Sequence, residues 1–241
     1  MNPSVSKGTL YLIPVPIGDT VSDYSIPSQV KEITSNLTHF VVENEKTARK
    51  MIRLINPSVD QSSLSLEILD KNTSALQLEQ LLEPCIEGKH LGLISEAGVP
   101  AVADPGSRLV RFAHQQNIRV VPLVGPSSIL LALMAGGLNG QSFAFSGYLP
   151  IDAGAQKKSL QELERRSAQL SQTQIFMETP YRNDKVIELA IEVLHPTTLF
   201  SIACDLNSSQ ELIITKTVSE WKKEGLVSIH KRPAIFSLLK E

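Results

Sequence analysis

The sequence predicts an α/β protein in two lobes, the first built on a mostly parallel sheet and the second on a mixed sheet. Three observations lead there. Up to about residue 140, short β-rich runs alternate with helical patterns, which is the signature of right-handed βαβ crossovers over a sheet covered on both faces. Beyond residue 141, strand-like runs follow one another with fewer helices between them, so neighbours can pair antiparallel. The chain's 241 residues, 42% hydrophobic and 20% charged, are enough to bury one large core or two smaller ones.

The elements follow in order. TLYLIPV (9–15) reads as the first strand, with a helical segment near 27–35 after it. THFVVEN (38–44) leads into the helical pattern EKTARKMIRLI (45–55), and SLSLEIL (63–69) into NTSALQLEQLLEPC (72–85). HLGLIS (90–95) precedes DPGSRLVRFAHQQ (104–116), and IRVVPLV (118–124) precedes PSSILLALMAGGL (126–138). The turn-rich GGLNG (136–140) marks a hinge and places the boundary near 140–143, giving lobes of 1–141 and 142–241. In the second lobe SFAFSGYLP is a strand, 155–170 a polar helix, TQIFME a strand and 181–194 a helix. TTLFSIACD, ELIITKTV and PAIFSLL then supply three strands, with a short helix between the last two.

Composition excludes several classes of function. The two cysteines, Cys85 and Cys204, form no CxxC pair, and the five histidines are scattered singly, so no metal site is expected. A formal net charge of −2 gives no bulk attraction to nucleic acid. No apolar run is long enough to span a bilayer and the first residues lack the apolar core of a secretory signal, so a cytoplasmic protein without membrane contact is expected.

Four loops sit where an open α/β sheet binds ligands, at the carboxyl ends of strands. They are PVPIGD (14–19), the loop within LISEAGVPAVADPGSRLV (93–110), VGPSS (124–128) and METPYR (177–182). Gly18, Gly98, Gly106 and Gly125 allow close backbone approach, and Pro14, Pro16, Pro100, Pro105 and Pro126 fix turns. Neither GxGxxG nor GxxxxGK[ST] occurs, which argues against a nucleoside triphosphate. Taken singly, each loop reads first as a tight turn with a helix cap, Asp104 or Ser127 or Ser128 serving as the cap, and it is the presence of four in one chain that weakens that reading.

Taken together, YLIPVPIGD (11–19), ISEAGVPAVADPG (94–106), VVPLVGPSS (120–128) and FMETPYR (176–182) resemble the successive motifs of the tetrapyrrole methylase superfamily. Within it they are most similar to the family that methylates the ribose 2′-hydroxyl of a cytidine in 16S ribosomal RNA. The resemblance spans nearly the whole chain. It implies an S-adenosylmethionine-dependent methyltransferase, a homodimer, with the methyl donor held between two α/β domains and ribosomal RNA or the small ribosomal subunit as partner. Carried over by position, cofactor contacts come from Pro16, Gly18, Gly98, Val99, Pro100, Val102, Ser127, Ser128, Phe176 and Met177. Substrate contacts come from Glu43, Lys46, Arg182 and Glu211.

Departures from the family pattern concern the acceptor. Where the family has Glu-Asp-Thr-Arg, this chain has Glu43, Asn44, Glu45 and Lys46, and where the family has Arg-Glu-Leu-Thr-Lys it has Cys204 to Ser208. Fewer cations weaken RNA affinity and flatten its salt dependence. Lys231, Arg232 and Pro233 are placed either to replace some of that charge or to form a plain exposed turn. Glu178 is the candidate base, with an ion pair to Arg182 four residues on as its alternative role. Tyr148, Lys157 and Lys158 are further candidates to meet substrate, the lysines being equally explained as a solvated helix face. Two other readings stay open: a small-molecule acceptor such as a tetrapyrrole, suggested by the near-neutral charge, and a non-catalytic binding protein on the same fold.

Overall fold

A computed structural model of the chain describes residues 6–17 and 26–241. Gly18, one of the expected cofactor contacts, lies outside the described residues. The chain divides into two compact units, Met1–Ser127 and Ser128–Glu241.

In the first unit the strands are β1 (Thr9–Ile13), β2 (His39–Val42), β3 (Ser65–Ile68), β4 (Leu91–Ile94) and β5 (Arg119–Pro122). All pair in parallel, in the order β3-β2-β4-β1-β5. The helices are α1 (Ser28–Ser35), α2 (Glu45–Ile55), α3 (Ala75–Leu81), α4 (Glu83–Ile86) and α5 (Gly106–Gln115). Alternation along each strand sends side chains to two cores. Ile13, Phe40, Val42 and Ile94 pack with Val30 of α1 and Ala48, Met51 and Ile52 of α2. Leu10, Val41, Leu91 and Leu93 pack with Leu78, Leu81, Cys85, Leu109 and Ala113 from α3, α4 and α5. The predicted parallel sheet with helices on both faces is therefore present. The expected helix over 72–85 is broken at Leu82, because Pro84 in the first turn of α4 has no N–H to continue α3.

The second unit holds α6 (Ser128–Gly136), β6 (Phe143–Tyr148), α7 (Ala153–Leu170), β7 (Thr173–Met177) and α8 (Asn183–Val193). It ends with β8 (Leu199–Cys204), β9 (Leu212–Thr217), α9 (Val218–Glu224) and β10 (Ala234–Leu239). Strand order is β6-β7-β10-β8-β9. The β6–β7 pair is parallel and the other three pairs are antiparallel, the mixed sheet expected from closely spaced strands. One face is covered by Leu160, Leu163, Val186, Ile187, Ala190 and Trp221 from α7, α8 and α9. The other is covered by Ala132 and Leu133 of α6, which pack on Ile175, Ala203 and Ile235. This packing sets the division between units at Ser127/Ser128, ahead of the expected hinge at 140–143. α6 follows a strand of the first sheet in sequence, but its apolar side is buried on the second.

Candidate functional site

The strand order decides where the first unit can bind a ligand. β1 and β4 are neighbours, yet the chain leaves β1 toward β2 on one side and leaves β4 toward β5 on the other. Their carboxyl ends therefore open a crevice at a topological switch point. Three of the four motif loops meet there. The Val15 N–H donates to the Gly98 carbonyl at 2.9 Å, and the Gly98 N–H donates back to the Val15 carbonyl at 3.2 Å. Gly98 has φ +70°, and a Cβ there would stand 3.3 Å from the carbonyl oxygen of Pro126. A Cβ on Gly125 would stand 2.2 Å from Cβ of Pro14. The glycines thus let the loops after β1, β4 and β5 close on one another main chain to main chain.

The loop after β4 is held in an unusual shape. Ala101 and Ala103 have φ of 66° and 64°, left-handed values that L residues adopt at some cost. Asp104 holds them. Its Oδ1 and Oδ2 accept from the Ala101 N–H at 3.0 and 2.8 Å, and Oδ1 also accepts from the Gly106 N–H at 2.7 Å. The N-cap position of α5 falls on Pro105, one residue later than the sequence suggested, and Asp104 satisfies the first amide of the helix from just ahead of it while locking the turn. Burial pushes its carboxyl above the usual carboxylate range, opposed by the hydrogen bonds from Gly106 and Ala101. Glu43, just past β2, accepts from the Glu96 N–H at 3.3 Å. Burial first, then repulsion from Asp104, raises its carboxyl too. Sequence reasoning missed the facing of Glu43 and Glu96, which only the β2–β4 pairing reveals.

Along 14–17, 95–106 and 123–127 there is no lysine or arginine. Besides backbone, these stretches carry Glu96 and Asp104, the hydroxyls of Ser95 and Ser127, and apolar groups including the exposed Val102 and Val124. Pro16 and Pro100 are buried in the turns and Val99 is half-buried. Ser127 and Ser128 stand at the start of α6. Lys46 is exposed on the first turn of α2, beyond the cap that Asn44 gives the Thr47 N–H.

The fourth loop belongs to the second unit. Phe176 is fully buried and stacks on Phe236 and near Phe200, with ring centroids 5.4 and 6.5 Å away, so its side chain serves the core. Met177 is half-buried on the α6 side of the sheet. Glu178 is nearly sealed. Its Oε2 pairs with an Arg182 Nη2 at 2.8 Å and accepts from the Gln156 amide at 3.3 Å, while Oε1 accepts from the Thr179 N–H at 2.8 Å. Arg182 also donates to the Pro150 carbonyl at 3.0 Å, tying this loop to the end of β6. Glu211 accepts from the Asn207 N–H at 2.8 Å and so closes its own turn. Lys157 lies 3.8 Å from Glu192 on the exposed side of α7, and Tyr148 is exposed at the end of β6.

Comparison with known proteins is decisive at the level of family. The family model of Tetrapyrrole (Corrin/Porphyrin) Methylases matches residues 9–222. The chain belongs to the tetrapyrrole methylase family. Relatives in sequence carry the name Ribosomal RNA small subunit methyltransferase I. The one from Vibrio cholerae is 31% identical over 214 residues, 88% of this chain and 70% of the relative. The one from Xylella fastidiosa is 30% identical over 234 residues, 97% of this chain and 81% of the relative. In structure, the methyltransferase CobJ matches with a TM-score of 0.63 at 16% identity, over 97% of this chain and 94% of CobJ, which shows the shared fold. This tetrapyrrole methylase is thus a methyltransferase, and no described helix is long and apolar enough to cross a membrane.

Proposed function

We propose that the chain transfers a methyl group from S-adenosylmethionine to a ribose 2′-hydroxyl of small-subunit 16S ribosomal RNA. The observation that carries the reading is the closure of three glycine and proline loops at the switch point of the first sheet, in a chain whose relatives are named for that RNA. When bound, S-adenosylmethionine supplies an electrophilic methyl on a sulfonium. The residues present suit such a group. Loops whose described stretches offer backbone, apolar side chains and carboxylates but no lysine or arginine accept a cation and do not repel it. Pro16, Gly98, Val99, Pro100 and Val102 would hold it, with Ser127 and Ser128.

Because the sulfonium loses its charge as the methyl moves, a tight counter-ion would stabilise reactant more than transition state. The chain's work is therefore placement of donor and acceptor in line. Glu178, with its oxygens occupied by Arg182, Gln156 and Thr179, orients the loop after β7, and the proton released from the hydroxyl passes to solvent water. We also read the enzyme as a homodimer, as the family resemblance implies, acting in the cytoplasm, as expected from the sequence.

The test is transfer of tritiated methyl from S-adenosylmethionine to small ribosomal subunits from a strain lacking the gene, followed by mapping of the labelled nucleotide. Label on one ribose is the expected result, and no transfer to the RNA would defeat the reading. Glu178→Gln should keep the rate within about tenfold, whereas loss of a general base lowers rates by about 10²–10⁴.

A further inference from the structure

Antiparallel pairing of β10 with β7 brings together two segments about fifty residues apart in sequence. Ile235 faces Met177, so the chain just before β10 runs beside the chain just after β7. The Lys231 N–H donates to the Pro180 carbonyl at 3.0 Å. Around this bond lie Tyr181, His230 and Lys231, all exposed, Tyr181 at 68%. The His230 ring meets the Tyr181 ring edge to face at 6.1 Å, and Lys231 Nζ stands 5.8 Å from the centre of the same ring.

The backbone beneath is fixed from several sides. Asp184 accepts from the Ser228 hydroxyl at 2.7 Å and the Ile229 N–H at 2.8 Å, and the buried Asn183 amide donates to the Arg232 carbonyl at 2.6 Å. Arg232 pairs with Asp205 at 2.6 Å. These ties hold Lys231 at φ 64°, a left-handed value a lysine seldom adopts. Arg182 and Arg232 are both spent on carboxylates, Glu178 and Asp205. Lys231 has no carboxylate within ion-pair distance among the described residues.

We propose that Tyr181, His230 and Lys231 form a stacking platform for single-stranded RNA, the aromatic faces receiving an unpaired base and Lys231 a neighbouring phosphate. Single-stranded RNA is bound by this combination of aromatic surface and cation, and a platform fixed before binding loses little entropy on binding. A helix-binding face would instead present a row of cations without an exposed aromatic ring. The inference rests on the reading of the chain as an RNA methyltransferase and names a portion of its acceptor surface.

The experiment measures binding of a fluorescent single-stranded RNA of about 12 nucleotides, over a range of salt concentrations, to the full chain and its variants. Tyr181→Ala should weaken binding about tenfold with the salt slope unchanged, and Tyr181→Phe should bind as the wild type does. Lys231→Gly, which suits the left-handed backbone, should lower the salt slope by about 0.7. Lys223→Ala on α9 removes the same charge elsewhere and should change neither. Wild-type affinity and slope in both Tyr181→Ala and Lys231→Gly would overturn the platform and assign the patch to a protein partner. Failure of the wild type to bind RNA while it still binds S-adenosylmethionine would instead overturn the RNA acceptor itself.

Discussion

Glu178 and Arg182 are unequal partners in one ion pair. The Glu178 side chain is 1% exposed and that of Arg182 is 25% exposed. Removing Arg182 leaves a carboxylate sealed in the second unit with only the Thr179 N–H and the Gln156 amide. Neutralising Glu178 leaves an arginine that can still turn to water. Arg182→Ala should therefore destabilise by about 3 kcal/mol, the scale of a stranded buried charge. Glu178→Gln should destabilise by about 1 kcal/mol, since a glutamine oxygen still accepts from Thr179. Urea unfolding of the two variants tests the order, and equal losses would mean that the pair is not buried as described. Sequence spacing already allowed this pair at i,i+4. It could not show that Gln156, on α7, would reach the same oxygen.

At the scale of elements, the loop after β4 depends on a single side chain. Asp104→Ala frees two amide donors, Ala101 and Gly106, and releases alanines held at left-handed angles. The expected loss is about 2 kcal/mol of stability, moderated because a buried charge also goes, and at least about tenfold in S-adenosylmethionine affinity by calorimetry. Gly125→Ala should weaken the cofactor by a different route, since its Cβ would strike the rigid ring of Pro14 and force the loops after β1 and β5 apart. Unchanged affinity in both variants would move the cofactor away from these loops. The loops were legible in sequence because glycine and proline announce turns, and short apolar or aromatic runs between them announced the strands. Ala101 and Ala103 were not, because alanine carries no signal for a left-handed backbone. Nor was the meeting of Tyr181 with His230 and Lys231, which follows from strand order. The place of α6 was hidden as well, because a strand of the first sheet precedes it in sequence, while packing on Ala203 and Ile235 decides where it belongs.

For the whole molecule, each unit carries one buried thiol in its own core. Cys85 packs among Leu78, Leu82 and Leu109, and Cys204 among Phe200, Ile202 and Phe236. Burial pushes both thiols up to about 11, and for Cys204 the charge of Asp205 adds to the effect. A thiol is ordinarily at about 8.5 in an unfolded chain, so between there and about 11 the unfolded protein loses protons that the folded protein keeps. Each thiol's contribution is fully present below about 8.5 and is lost as the pH rises through the folded value, on the order of 3 kcal/mol per thiol. The thiol part is isolated by reading the difference against Cys85→Ala Cys204→Ala. The urea midpoint of the wild type should fall more steeply with pH than that of the double variant. At about pH 8, below the ordinary thiol value, a thiol reagent should modify neither cysteine until the unit that holds it unfolds, and labelling of the folded chain would show that the two cores are not closed.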